Sequence, residues 1–117
     1  MSTPPVISVT AFIQQIESLP VTQLSKLDSI LSDLANHIHD LGEYISELKK
    51  EANSFKAVKR KKLLKEMKEL ETQFDLLSGM LYDMVYDSHY MDRTLHILGY
   101  VREDLKELLK ELKKKKT

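Results

Sequence analysis

The feature that most constrains the fold is a pair of apolar ladders whose members recur every three or four residues. Such spacing places the side chains on one seam of a helix, and an apolar seam must pack against another helix. The second ladder continues at the same spacing to Leu112, with polar residues at Ser88 and Arg102. The first ladder consists of Leu24, Leu27, Leu31, Leu34, Ile38, Leu41, Ile45 and Leu48, and the second begins with Leu63, Met67, Leu70, Phe74, Leu77 and Leu81.

Composition supports long helices and excludes several classes of site. Charged residues make up 31% of the 117 residues, with only three glycines and three prolines to interrupt helices. The absence of cysteine excludes disulfides, thiolate zinc sites and a cysteine nucleophile. No signal-like leader and no run of eighteen apolar residues is present. We therefore expect an intracellular protein with no transmembrane segment.

Proline and polar residues divide the chain into predicted elements. Pro4 and Pro5 predict a disordered leader over residues 1–7, followed by one helical domain over residues 8–117. Pro20 separates the first two helices, and Asn53 and Ser54 offer a turn and a helix cap before the third. The predicted helices cover about residues 9–18, 21–51, 56–87 and 89–116.

The last two predicted helices could form one continuous helix. Asp87, Ser88 and His89 interrupt the second ladder with polar residues, two of which are good helix caps. A break there predicts an antiparallel bundle. Without a break, a coiled-coil hairpin would carry an overhang that needs a second chain. The expected fold is therefore all-α: a long-helix antiparallel bundle or coiled-coil hairpin with a short amino-terminal helix.

Catalytic and metal-binding patterns are not evident. His37 and His39 diverge around a helix, and His89 and His96 are seven residues apart, so no HExxH-type pair exists. Glycine-rich phosphate loops and nucleophile motifs are also missing. We predict no enzymatic activity, no metal and no cofactor. A metal or enzymatic site around His89, Asp92 and His96 is a competing hypothesis.

A polar and aromatic stripe lies opposite the second ladder, with members at spacings of 4, 3, 4, 3 and 4 residues. Tyrosine and arginine are enriched at protein interfaces because each combines a large apolar body with a polar group. The stripe either packs against the short amino-terminal helix or binds another chain. Its members, the candidate partner-binding residues, are Tyr82, Tyr86, His89, Arg93, His96 and Tyr100.

A basic stretch opens the third predicted helix. Its density of lysine and arginine is typical of polyanion contacts, although a solvated helix face has the same composition. In the bundle, the lysines of residues 113–116 would return to the same pole. Phe55 is the only aromatic residue nearby, so any nucleic-acid binding would depend on phosphate contacts. The basic patch consists of Lys56, Lys59, Arg60, Lys61, Lys62 and Lys65.

Three short segments resemble the amino-terminal helical domain of the inhibitor of growth family. They are I-E-S-L-P at residues 16–20, E-Y-I-S at residues 43–46, and Y-D-M-V at residues 82–85 followed by His89. The resemblance implies a module that self-associates through a coiled coil and docks into histone acetyltransferase or deacetylase complexes. It also implies a nuclear location, whereas without it we expect the cytoplasm. The family's zinc finger has no counterpart, because there is no cysteine.

The predicted function is thus a non-enzymatic coiled-coil interaction or scaffold subunit. Its expected partners are helices of other proteins or of further copies of the chain. The most specific version places it in a nuclear chromatin-modifying complex. The alternative is a helical polyanion-binding protein that uses the basic patch on nucleic acid or acidic membrane.

Overall fold

The computed structural model describes residues 5–20, 23, 25–84, 86 and 88–114, with the backbone alone for residues 5–8. These residues contain helices and no strand, so the predicted all-α fold is confirmed. A 3-10 turn, Ala52–Ser54, precedes the third helix. The helices are α1 (Pro5–Glu17), α2 (Ser25–Glu51), α3 (Ala57–Asp83) and α4 (His89–Lys113).

The second ladder is divided between two helices. α3 ends at Asp83, and the backbone N–H of Met84 donates to the carbonyl of Met80 at 3.2 Å. Ser88 caps α4 by accepting a hydrogen bond from the Met91 backbone N–H at 3.1 Å. The break therefore selects the bundle over the hairpin. The predicted cap residue Asp87 lies outside the described residues.

Contacts between helices define an up-down-up bundle with α4 packed against both other long helices. Thr94, in the second turn of α4, donates through its hydroxyl to the carbonyl of Leu31 near the start of α2, at 3.1 Å. Near the ends of the same two helices, Lys49 forms an ion pair with Glu107. Equivalent ends therefore meet, and α2 and α4 run parallel.

α3 runs antiparallel to α4, and a polar contact fixes their register. Arg102 of α4 forms an ion pair with Asp75 of α3 and donates to the Ser78 hydroxyl at 3.3 Å. Arg102 occupies a ladder position but is only half-buried. Its long side chain can therefore bury its aliphatic part while its guanidinium reaches a polar partner.

Both ladders form the core of a single chain. Every described member of the first ladder is buried, as are all six residues that begin the second. Leu24 lies outside the described residues. α2 and α3 each pack on α4 and on α1, so these ladder residues are buried within one chain. α4 contributes Met91, Leu98, Val101, Leu105, Leu108, Leu109 and Leu112 to this core.

α1 covers one end of the bundle by packing on α2 and α3. Val9, Ile13 and Ile16 are buried there. The Phe12 ring lies 5.5 Å from the His37 ring, measured between centroids. The predicted leader was too long, because α1 begins at Pro5. Proline suits the first helical turn, where no backbone N–H is needed.

The turn before α3 also corrects a prediction. Asn53 and Ser54 do not cap the helix but belong to the 3-10 turn, where the Ser54 hydroxyl donates to the Glu51 carbonyl at 2.7 Å. The residue at the cap position of α3 is Lys56, which makes no side-chain capping bond. Phe55 in between is extended and buried, so burying its ring moves the helix start beyond the serine.

Candidate functional site

The stripe is largely exposed, but the structure separates its members. α1 packs on α2 and α3, and five stripe residues remain exposed while Tyr86 is half-buried. Arg93 turns toward α2 and donates to the Asn36 side-chain oxygen at 3.2 Å. The His89 ring lies 6.2 Å from the Tyr90 ring. The stripe is therefore not one continuous surface.

Tyr86 belongs to the joint between α3 and α4. Partial burial raises the pKa of its hydroxyl, and the neighbouring Asp28 carboxylate raises it further. Asp28 lies in the first turn of α2, where a carboxylate is favoured by the helix dipole. Tyr86 is thus the one half-buried member of the stripe, whereas the other five members are exposed.

Three stripe residues do form a common surface, which we call the tyrosine face: Tyr82, His96 and Tyr100. They line one groove between α3 and α4. Tyr82 and Tyr100 are 70% and 65% exposed, among the highest values for large apolar side chains in the described residues. The His96 and Tyr100 rings meet edge to face at 4.8 Å, which is a favourable aromatic geometry.

The groove between α3 and α4 has an acidic margin. Asp92 and Glu103 stand on the exposed side of α4, one on either side of the tyrosine face along the helix. Leu95 and Gly99 complete its lining, and Gly99 has no heavy atom within 4 Å of where a Cβ would lie. Aromatic rings and carboxylates are therefore exposed together in one shallow depression.

A second groove, between α2 and α4, shares Tyr100 with the first. Its floor is formed where α2 approaches α4 closely, because a Cβ on Gly42 would lie 2.9 Å from the Val101 side chain. Its margin is again acidic. The lining residues are His39, Gly42, Glu43, Ser46, Glu47, Ile97, Tyr100, Val101 and Asp104.

An ion-pair group closes one end of this second groove. Lys49 lies 3.7 Å from the Asp104 carboxylate and forms a closer ion pair with Glu107. The hydrogen bond from Lys49 lowers the pKa of Glu107 and raises that of Lys49. Glu43 and Glu47 are exposed on α2, and each also lies beside a basic side chain of the same helix, at 3.7 and 3.5 Å. The groove therefore keeps exposed carboxylates, although they also have partners within the chain.

The histidines do not converge on a metal site. Among residues 5–20, 23, 25–84, 86 and 88–114, no group of three or more His, Cys, Asp and Glu is placed to hold a metal ion. His89, Asp92 and His96 are all exposed on α4. His37 is different, because burial lowers its pKa against the opposing effect of Asp40, and its Nε2 is buried with no partner in the described structure.

The predicted basic patch needs one correction, at Arg60. Arg60 is buried, because its guanidinium donates to the carbonyls of Ala52 and Glu111 and, at 3.3 Å, to that of Lys114. These carbonyls belong to the turn after α2 and to the end of α4, which helical hydrogen bonding leaves free. The other five residues of the patch are exposed.

Sequence reasoning found the aromatic part of the surface but missed its acidic part. Glu43 and Glu47 are more than fifty residues from Tyr100 along the chain, and only the parallel pairing of α2 and α4 brings them together. One sequence signal was available. Gly42 directly follows Leu41 of the first ladder, and an isolated glycine within a helix often marks a close approach of another element.

Comparison with known proteins gives no family. No protein-family model matches the chain, and no significant match exists among curated proteins or solved structures. No helix in the described part of the chain is long and apolar enough to cross a membrane.

Proposed function

We propose that this protein is a non-enzymatic interaction subunit that binds a partner through the tyrosine face and its two grooves. The observation that carries the proposal is the exposure of Tyr82 and Tyr100 beside two acidic grooves. Because the ladders are buried within the chain, they do not supply this interface. We therefore place the interface on the outer surface of α4 rather than on the coiled-coil seam.

The chemistry of the surface favours a cationic partner. Exposed tyrosine rings attract Lys and Arg side chains through cation–π contacts. The carboxylates of Glu43 and Glu47 on one side and of Asp92 and Glu103 on the other favour the same charge. Glu47 and Glu103 also form ion pairs, at 3.5 and 3.7 Å, with exposed lysines of their own helices, and such surface pairs are weak. We therefore commit to one occupant, a helix of another protein that carries Lys or Arg residues along one face.

The shape of the surface suits such a helix. A partner helix would lie in one groove and pack its small or apolar residues against Gly99 or Gly42, as helices do in grooves of other proteins. Tyr100 borders both grooves and would contact the partner in either position. We expect Tyr100 to contribute most to affinity, since tyrosines at the centre of interfaces are common hot spots.

Site-specific photo-crosslinking in cells tests this function. A photoreactive phenylalanine analogue replaces Tyr100, and in the control it replaces Val58, which is 85% exposed on α3. We expect a discrete adduct with a different protein at position 100 and no protein adduct at position 58. Sequencing of the crosslinked peptide should identify a helix rich in Lys or Arg, and the adduct should weaken when Glu43, Glu47 and Asp92 are changed to Gln.

Two results would contradict this function. An adduct with the mass of two copies of the chain would assign the surface to self-association. A yield that is the same at positions 100 and 58, or that is unaffected by the Glu and Asp changes, would mean that the tyrosine face is ordinary exposed surface.

The more specific proposal places the partner in a nuclear histone acetyltransferase or deacetylase complex. It depends on the resemblance of residues 16–20, 43–46 and 82–85 to the inhibitor of growth family. The described residues of these segments lie at the end of α1, on α2 and at the end of α3, and Tyr82 of the third segment belongs to the tyrosine face. A crosslinked partner from such a complex would support this version, and a partner from the cytoplasm would exclude it.

A further inference from the structure

The basic residues of two distant segments meet at one end of the bundle, which we call the lysine pole. Lys61 of α3 and Lys113 of α4 line one pocket, together with Lys114, Phe55 and Leu112. Their positions in the chain are about fifty residues apart. The lysine pole comprises Lys56, Lys59, Lys61, Lys62, Lys65, Lys113 and Lys114.

Arg60 holds these two segments together. Its guanidinium connects α3 to the last carbonyls of α4 and to the turn after α2. Because Arg60 is buried, it does not itself add to the exposed charge, but it fixes the helix ends that carry the lysines. The lysine pole is therefore a defined surface rather than the meeting of two loose segments.

Most lysines of the lysine pole have no ion-pair partner. In the part of the chain that the structure describes, Lys114 pairs with Glu111 at 2.9 Å, and Glu66 lines a pocket beside three of the pole's lysines. No ion pair there involves Lys56, Lys59, Lys61, Lys62 or Lys65. Residues 52–65 contain no Asp or Glu, whereas helix starts usually favour acidic residues. Repulsion among these lysines opposes folding, so a bound anion at this end would relieve it.

The spacing and the chemical type of these cations favour the phosphodiester backbone of a nucleic acid as the ligand. From Lys56 to Lys65 the helix rises about 14 Å, over which a nucleic-acid duplex carries about eight phosphates. Lysine binds phosphate as a mobile point charge and gives little base discrimination. The only aromatic residue at the pole, Phe55, is buried, with the Lys59 ammonium 4.6 Å from its ring centre, so no ring is free to stack on a base.

A membrane surface fits the lysine pole less well. Interfacial binding requires an apolar face beside the cations. Phe55, Leu63 and Leu112 are buried, and Val58 is the one prominently exposed large apolar residue at this end of the described structure. A surface with exposed lysines and few exposed apolar side chains suits a phosphate backbone better than a membrane.

We propose that the lysine pole binds the phosphate backbone of duplex nucleic acid without reading its base sequence. This binding goes beyond the partner proposed for the tyrosine face, and neither depends on the other. It would give the protein two separate contacts, one cationic at the pole and one acidic and aromatic along α4.

Fluorescence anisotropy with a short labelled DNA duplex and the full chain tests this proposal over a series of salt concentrations. We expect binding at low salt that weakens steeply as salt rises, and equal affinity for duplexes of unrelated sequence. The double variant K61Q/K113Q should bind more weakly and reduce the slope of log affinity against log salt by about 2, since each phosphate contact contributes about 0.9.

The matched control is K26Q/R93Q, which removes the same net charge from exposed residues near the starts of α2 and α4. It should leave affinity and slope unchanged. Circular dichroism checks that each variant folds, and K56Q/K62Q replaces the test pair if helicity falls. The proposal would be overturned if the test variant and the control K26Q/R93Q lost affinity equally. It would also be overturned if the unmodified chain did not bind the duplex at low salt. Binding to anionic phospholipid vesicles with none to the duplex would overturn it in favour of a membrane surface.

Discussion

The two ends of the bundle are closed in different ways. At the end where α2 and α4 begin, α1 adds a fourth helix through Val9, Ile13 and Ile16, and the Ser88 hydroxyl caps α4. At the lysine pole the described residues form no fourth helix, and the Arg60 guanidinium connects α3 to the carbonyls of its neighbours. One end is closed by a helix that buries apolar side chains, and the other by the buried Arg60 together with a short turn whose Ala52 and the following Phe55 are buried.

This difference has a consequence for where binding surfaces can exist. At its end of the bundle, α1 packs on α2 and α3 and covers surface of both helices that would otherwise be exposed. At the lysine pole, the Arg60 guanidinium bonds only to backbone carbonyls. It therefore covers none of the neighbouring lysine side chains, which stay exposed. The end with fewer helices is therefore the one that keeps charged surface available for a ligand.

The largest effect should come from removing apolar closure. The change Ile13→Ala takes a buried side chain out of the contact between α1 and the bundle, and such truncations cost about 2–5 kcal/mol. Urea unfolding should show this loss of unfolding free energy. Gln14→Ala on the exposed side of α1 is the control and should change it by less than about 0.5 kcal/mol. A loss below about 1 kcal/mol for Ile13→Ala would mean that α1 is weakly attached.

A smaller but clear loss should follow removal of the cation at the other end. Arg60→Ala removes the guanidinium from the carbonyls of Ala52 and Glu111, the second of which keeps the Lys114 N–H as a donor at 3.4 Å. Hydrogen bonds to charged groups are worth about 1.5–3 kcal/mol. Urea unfolding is again the measurement, and Lys61→Ala on the neighbouring exposed position should be nearly neutral. If Arg60→Ala unfolds at the same urea concentration as the unmodified chain, water can replace the guanidinium. Arg60 would then not stabilise this end of the bundle.

The smallest effect should be a pH dependence confined to the α1 end. Burial lowers the pKa of His37 below its ordinary 6.5, so the folded protein holds this ring neutral more strongly than the unfolded chain does. Its contribution to stability is therefore complete above about pH 6.5 and decreases as the pH falls below that value. His37→Phe, which keeps a ring beside Phe12, should lose less thermal stability between about pH 7.5 and about pH 5.5 than the unmodified chain.

The exposed His39 provides the control for this measurement. The side chain of His39 lies on the solvent side of α2, 3.7 Å from the Glu43 carboxylate. His39→Phe should keep the pH dependence attributed to His37. An unchanged pH profile in His37→Phe would show that this ring does not couple protonation to the packing of α1.

Much of the fold followed from local signals in the sequence. The described residues of the first ladder and the six that begin the second are all buried, since the three-four spacing reports directly which face of a helix is apolar. Ser88 was recognisable as a cap, but the ladder continues through it, so periodicity alone could not separate a bundle from a continuous helix. The structure decides this by ending α3 at Asp83.

The candidate site was less accessible from the sequence, because its parts come from separate helices. Spacing placed Tyr82 and Tyr100 on one stripe but could not show that Tyr86 and Arg93 turn toward α2. No pattern in the sequence predicted that Arg60 would be buried while the lysines beside it stay exposed. Its burial depends on the carbonyls of Glu111 and Lys114, about fifty residues away, which no local pattern encodes.

The parallel pairing of α2 with α4 also affects the order in which the chain can fold. These two helices share the largest interface of the bundle, although α3 separates them along the chain. Closing that contact requires a long loop, and contacts of this kind slow folding relative to a hairpin of adjacent helices. During synthesis, α2 and α3 would leave the ribosome with much of their apolar surface uncovered until α4 follows. The first ladder is therefore exposed apolar surface, prone to aggregation, on the nascent chain before it becomes the core of the finished protein.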